Sequence, residues 1–131
     1  MISTDAKIFQ EESSVRRRQI EYAKNWSEVH IIIFSSPLFD NTIISQNCFV
    51  YPTRSLSRFV YILDAIKIGF SILKNKSISN ITCQDPFLTA ISASYLANKF
   101  KIPLEIQIHT DIGSPNYSYS FLNKIRKIRV K

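Results

Sequence analysis

Residues 78–109 read ISNITCQDPFLTAISASYLANKFKIPLEIQIH, and this stretch decides the fold. Residues 78–83 read as a short strand. Asp85 followed by Pro86 reads as a helix start: the carboxylate accepts bonds from free backbone N–H groups, and proline fits the first helical position. The helix is expected to run to about Phe100, and its small residues Ala90, Ala93, Ser94 and Ala97 allow close approach to a sheet. Pro103 stops the helix and pushes Ile102 toward extended geometry. Residues 104–109 alternate strictly, with Leu104, Ile106 and Ile108 on one face and Glu105, Gln107 and His109 on the other.

The same punctuation extends toward the amino end. Residues 29–34 are apolar and β-branched, the pattern of a strand covered on both faces. Residues 35–47, marked by Pro37, Asp40 and Asn41, read as a loop, and residues 48–51 as a second strand stopped by Pro52. Residues 56–73 predict a crossover helix with Leu56, Phe59, Val60, Leu63, Ile66, Phe70 and Leu73 along one side. Residues 14–26 predict another, with Val15, Tyr22, Ala23 and Trp26 at helical spacing. Residues 1–4 read as the end of a strand, shorter than the usual ~5–6 residues, as though clipped, and residues 5–13 as a polar loop. Residues 121–131 read as a basic amphipathic helix. Short apolar strands separated by helices predict an α/β fold, a Rossmann-like parallel sheet with helices on both faces. Ligands of such sheets bind outside the carboxyl ends of the strands. Three places qualify: the loop after Thr4, the Gln84-Asp85 turn, and His109 with the residues beyond it.

The chain has 131 residues, 45% hydrophobic and 21% charged, which suits one domain with one core. Lysine and arginine number 17 against 10 acids, for a net charge of +7. A basic surface attracts nucleic acid, anionic lipid or phosphorylated small molecules. The motifs and exposed aromatics of nucleic-acid modules are missing, so nucleic acid is not an expected partner. Cys48 and Cys83 fit no zinc or redox spacing and read as buried free thiols of a reducing compartment. The start is polar, and residues 56–73 carry Arg58, Asp64 and Lys67, so neither a signal peptide nor a membrane span is expected. The chain reads as cytoplasmic.

Several chemistries drop out. The sequence has no phosphate-binding glycine loop, no GxSxG and no HExxH. Two glycines cannot make a dinucleotide fingerprint, and no Asp-x-Asp pair exists for a metal-bound sugar nucleotide. His109, ending an apolar strand, reads either as a cleft donor or proton acceptor or as a structural strand cap. Asp85 reads first as a helix cap and second as a ligand contact; Gln84 beside it has less structural reason to be there. Arg16, Arg17 and Arg18 oppose the dipole at a helix amino end, which leaves anion binding open beside a plain solvated face. In the basic tail, Phe121, Leu122, Ile125 and Ile128 call for a partner. A neighbouring domain is the preferred cover, ahead of an anionic bilayer or solvent.

The segment Ile81-Thr82-Cys83-Gln84-Asp85-Pro86-Phe87-Leu88-Thr89, followed by Lys101-Ile102-Pro103-Leu104 and the Ile108-His109-Thr110-Asp111 ending, resembles the amino-terminal domain of family-4-like glycosyltransferases. Ser3-Thr4-Asp5, Ser14-Val15-Arg16 and Tyr51-Pro52-Thr53 add to the resemblance, which covers nearly the whole chain. It implies the amino-terminal half of a GT-B architecture, in which this first domain chiefly binds the acceptor and a second domain binds most of the nucleotide-sugar. It implies a retaining sugar transfer with no cofactor and no metal. His109 would be the cleft histidine near the transferred sugar. Asp5, Lys7, Arg16, Gln84, Asp85 and Asp111 would bind substrate, with the acceptor-side loop running from Asp5 to Arg16. Two departures stand out. Residues 6–12 carry none of the glycines many members have there, and the Glu-x7-Glu motif of the second domain is absent.

On this reading residues 1–131 form a single domain, truncated at both ends, that acts on a nucleotide-sugar and a glycan or lipid-linked acceptor only when completed by a carboxy-terminal domain. The isolated chain is expected to be inactive, and peripheral contact with the inner membrane surface fits its basic tail. The alternative is a non-catalytic Rossmann-like binding or interaction module. A basic nucleic-acid-binding domain, whose affinity would fall steeply with salt, is the weakest reading.

Overall fold

The structure is a computed structural model and describes residues 1–107. Its elements are β1 (Ile2–Ser3), α1 (Ser14–Ala23), β2 (Val29–Ile33), β3 (Thr42–Ser45), β4 (Cys48–Pro52), α2 (Tyr61–Asn75), β5 (Ile81–Cys83), α3 (Leu88–Phe100) and β6 (Leu104–Ile106). Short 3-10 turns at Ala6–Phe9 and Arg58–Val60 precede α1 and α2. The six strands form one sheet in the order β3-β4-β2-β1-β5-β6. All pairings are parallel except that of β3 with β4. The expected α/β, Rossmann-like architecture is the observed one.

Alternation along the strands sends side chains to two cores. Ile2, Ile32, Phe34, Ile81 and Cys83 meet Ala65 of α2 and Ala90, Ala93, Leu96 and Ala97 of α3. Val29, Ile31, Ile33, Cys48 and Val50 meet Ile8 and the α1 residues Val15 and Ala23 on the opposite face. Helices therefore cover both faces, as a parallel sheet buried on both sides requires. Burying each large aliphatic side chain contributes about 1.5–3 kcal/mol. Both cysteines are free and buried, and burial pushes the Cys48 thiol up to about 11.

Several expectations are corrected. The 35–47 loop contains β3, an edge strand that hairpins onto β4 through a tight turn at Gln46 and Asn47. Asn47 Nδ2 holds that turn by donating to the carbonyls of Ala23 and Trp26, each at 2.8 Å. α1 ends at Ala23 rather than Trp26. Lys24, Asn25 and Trp26 donate to carbonyls three residues back, a tightening common at helix ends. The strand expected over 78–83 is confined to Ile81–Cys83, and α3 begins at Leu88, two residues after Pro86. Within β6, Leu104 is half-buried and Ile106 exposed, because β6 is the sheet edge. Residues 108–109 of the expected last strand and the tail helix over 121–131 lie outside the described residues.

The largest correction concerns the 56–73 helix. The chain becomes α-helical at Tyr61, and Leu56 and Phe59, expected in its apolar stripe, are 92% and 95% exposed. Leu63 is exposed as well. The buried face is centred on Ala65 and Gly69; it keeps Ile66, Phe70 and Leu73 of the expected stripe and adds Ile62 and Ile72. Nearly every turn of this helix is apolar on several sides, so hydrophobic spacing fixed only part of the face. The small residues fixed the rest, because they let α3 approach. A Cβ built on Gly69 would stand 2.3 Å from Leu96 Cδ1, and Leu96 is itself locked in the core.

Gly69→Ala sets a gain in helix propensity of about 1 kcal/mol against overpacking of about 1–3 kcal/mol. Thermal or denaturant unfolding is expected to show net destabilisation, partly relieved when Leu96→Val is added. A net gain of about 1 kcal/mol, the helix-propensity contribution alone, would contradict the close approach.

Candidate functional site

The chain order runs from β1 outward to β2 and β4, then returns past β1 to β5 and β6. Strand order therefore reverses between β1 and β5, the point outside whose carboxyl ends an open parallel sheet offers a ligand crevice. Ser3 ends β1 there. Its buried hydroxyl donates to Gln84 Oε1 at 2.5 Å and accepts from the Asp5 N–H at 3.2 Å. One hydroxyl thus ties together the loop after β1 and the turn after β5. Gln84 is anchored a second time by its own N–H, which donates to the Ile2 carbonyl at 3.1 Å.

The loop after β1 is stitched to the head of α1. Asp5 Oδ1 accepts from the Lys7 N–H at 3.2 Å. Ser13, the N-cap of α1, donates through Oγ to the Lys7 carbonyl at 2.6 Å and accepts from the Arg16 N–H at 3.1 Å. Arg16 is half-buried, whereas Lys7, Arg17 and Arg18 are exposed. Among the described residues none of these four cations is in an ion pair.

Asp85 has extensive internal work. Its Oδ1 accepts from the Phe87 N–H at 2.8 Å, and its Oδ2 accepts from the Thr89 hydroxyl at 2.7 Å and the Thr89 N–H at 3.4 Å. The carboxylate holds the turn ahead of α3, although the helix itself starts at Leu88 with no side-chain cap on Phe87. His109 and Asp111 lie outside the described residues.

Three polar residues that sequence reasoning did not single out complete this end of the sheet. Thr53 Oγ1 accepts from the Ser35 N–H at 2.9 Å and donates to the Ser35 carbonyl at 3.1 Å. Ser55 donates its N–H to the same carbonyl at 2.9 Å and its hydroxyl to Asp64 Oδ2 at 2.6 Å. Ser35 is buried, and its own Oγ has no hydrogen-bond partner among the described residues. Arg54 between them has φ 56°, a left-handed conformation uncommon away from glycine. The available signal was a hydroxyl at or just past the end of three apolar runs: Ser3, Ser35 and Thr53.

These groups donate and accept hydrogen bonds, with cations alongside. They suit recognition of a hydroxyl-rich or anionic ligand. Among the described residues no histidine stands at this end of the sheet, and no group of three His, Cys, Asp or Glu residues is placed to hold a metal ion.

A cavity of about 160 Å³ opens at the opposite, amino end of the sheet, lined by Met1, Trp26, Glu28, His30, Asn80 and Thr82 among others. It lies at the other end of the sheet from the reversal of strand order, with the loops over 26–28 and 77–80 in its lining. His30 sits there, buried, with Nδ1 2.9 Å from Tyr51 Oη and Nε2 3.1 Å from Glu28 Oε1, which Lys76 also reaches at 2.8 Å. Burial holds the imidazole pKa below its ordinary value, outweighing the Glu28 carboxylate that would raise it.

No family model matches the chain, and no curated protein matches it either.

Two expectations follow. Asp85→Ala removes the bonds to Phe87 and Thr89 and is expected to cost about 1 kcal/mol, as for a lost helix cap, read by denaturant unfolding; an unaltered midpoint would count against the turn-holding role. The depressed His30 pKa means the unfolded chain takes up the proton first as pH falls through 6.5. Its share of stability is complete above that pH and is lost below it. Unfolding midpoints from pH 8 to 5 should decline, and His30→Phe should flatten that slope.

Proposed function

We propose that the chain is the acceptor-binding half of a retaining, family-4-like glycosyltransferase. The complete enzyme moves a sugar from a nucleotide-sugar to a glycan or lipid-linked acceptor in the cytoplasm, with no metal. The observation that carries this reading is the Ser3 hydroxyl bridging Asp5 and Gln84 at the reversal of strand order. It draws together two of the segments in which the resemblance lies. Sugar hydroxyls call for a surface of amides and carboxylates, and the half-buried Gln84 and Asp5, held together by the buried Ser3 hydroxyl, supply one. Lys7 and Arg16 at the head of α1 suit the phosphate of a lipid-linked acceptor, since a helix amino end and cations both favour an anion. His109 and Asp111 would join them from the segment after β6.

Transfer needs groups held on both sides of the migrating sugar. This half offers one side, and a second domain, binding most of the nucleotide-sugar, would supply the other. Peripheral contact with an anionic membrane would come from the basic residues 124–131 and the net charge of +7. Among the described residues no helix is long and apolar enough to cross a membrane.

The second reading, a non-catalytic Rossmann-like binding module, draws on Asp85. All the bonds recorded for its carboxylate close the turn ahead of α3.

Amide chemical-shift titration separates these readings. With short sugar phosphates, the amides of Ser3, Asp5, Arg16 and Gln84 are expected to shift and saturate in the millimolar range, with no transfer by the chain alone. Gln84→Ala is expected to weaken that response roughly tenfold, about one hydrogen bond's worth. Saccharide-free anions giving the same response would favour the plain binding module. Silence at all four amides would overturn the acceptor-site reading.

A further inference from the structure

The outer surface of α2 and α3 carries apolar side chains that the core does not use. Ser92 Oγ donates to the Ile62 carbonyl at 3.3 Å, Leu96 stands against Gly69, and the Phe70 and Phe100 rings meet edge to face at 5.1 Å. These contacts advance together along both helices, so α2 and α3 run side by side in the same direction. Each starts at the carboxyl end of the sheet, α2 after β4 and α3 after β5. Leu88, Ile91 and Tyr95 are spaced by three and four, which puts them on one stripe of α3. That stripe is exposed, because Ala90, Ala93 and Ala97 turn the opposite side toward the core. On the neighbouring helix Leu63 is exposed, and Leu56 and Phe59, in the stretch leading into it, are almost wholly in solvent.

Charge is distributed unevenly about this surface. Residues 1–55 carry six lysines and arginines and six acids, whereas residues 56–101 carry six against two. Both of those acids are engaged, Asp64 by Ser55 and Lys67 and Asp85 by Phe87 and Thr89. Arg58 beside Phe59, Lys74 of α2 and Lys99 of α3 are in no ion pair among the described residues. Lys74 lies over the Phe70 ring, 5.0 Å from its centroid, so its stem follows apolar surface and its charge stands beyond. Glu11, Glu12 and Glu21 go with α1, on the other side of the sheet.

These two features choose the occupant. A second copy would set the cations of this surface against one another, and residues 124–131 of the chain are basic as well. An anionic bilayer matches both features. It takes protruding apolar side chains without needing a shaped groove, and its head groups take the cations around them.

We propose that the outer surface of α2 and α3, led by Leu56 and Phe59, is a docking face for an anionic lipid bilayer. Leu56, Phe59 and Leu63 enter the head-group boundary with Leu88, Ile91 and Tyr95 beside them, and Arg58, Lys74 and Lys99 meet the anionic head groups. Leu56, Phe59, Leu63 and Leu88 all lie at the starts of the two helices, so docking holds the carboxyl end of the sheet close to the lipid. This face is separate from residues 124–131. It needs no sugar site, so it does not depend on the acceptor-site reading.

Co-sedimentation of the full chain with vesicles tests it, using phosphatidylglycerol mixed with phosphatidylcholine and phosphatidylcholine alone. The mixed vesicles are expected to bind the chain at least about tenfold more strongly at ~0.1 M salt, and this preference is expected to fade toward ~1 M, where the screening length drops from about 10 Å to about 3 Å. Leu56→Ser combined with Phe59→Ser touches no core contact, so its melting temperature is expected to be unchanged. Its partition onto the mixed vesicles is expected to fall about tenfold or more, for the loss of two large apolar side chains. Equal partition of the double variant and the original chain overturns the proposal, whether both bind or neither does. So does a dimer in sedimentation velocity that the two substitutions dissolve, which would give the face to a second copy. Binding of polyglutamate without binding of vesicles overturns it too, in favour of an acidic polypeptide.

Discussion

The rest of this structure depends on a strand of two residues. β1 is bonded on both sides, to β2 through the Met1 and Ser3 carbonyls and to β5 through the Ile2 carbonyl. Parallel neighbours cannot be joined by a tight hairpin. Each link therefore runs through a crossover, and those crossovers put α1 on one face and α2 and α3 on the other. Central position and small size give β1 two different ends. Its carboxyl end brings the loops after β1 and β5 together, and a cavity lies at the opposite end of the sheet.

At the carboxyl end, the chemistry begins where the apolar runs stop. Ile2, Ile33 and Cys83 are buried, and the next residues along are Ser3, Phe34 then Ser35, and Gln84. A buried hydroxyl must find a partner, and Ser3 finds two in separate loops. The candidate site is thus assembled by the same satisfaction rule that stabilises the fold. Asp85 illustrates the overlap: a carboxylate at the right place for a ligand also closes the turn ahead of α3. Ser35 differs, being buried with a hydroxyl that has no partner among the described residues.

The helices divide along similar lines. α3 was legible because Pro103 and its alanines gave both a boundary and a face. Asp85 was legible as a provider of N–H acceptors, although the helix begins three residues after it. The α2 face was legible only in part: Ile66, Phe70 and Leu73 of the expected stripe pack against the core, whereas Leu56, Phe59 and Leu63 are exposed. Its apolar residues surround most of the helix, and a glycine placed against Leu96 decided which side turns inward. β3 was hidden for a related reason: Thr42, Ile43, Ile44 and Ser45 sit among loop signals, and only pairing with β4 makes them a strand.

By itself, the sequence determined the α/β class, strands near 29–34 and 48–51 (the second runs on through Pro52, expected as its stop), and the helix ending near Phe100. These follow from local periodicity and from residues that forbid or favour one backbone geometry. Tertiary structure alone decided that Ser3 meets Gln84, 81 residues away, that Gly69 faces Leu96, and that His30 lies buried beside Glu28 and Tyr51. Those are long-range matters of register and close packing, and one chain's local pattern carries no record of which distant residue will stand opposite.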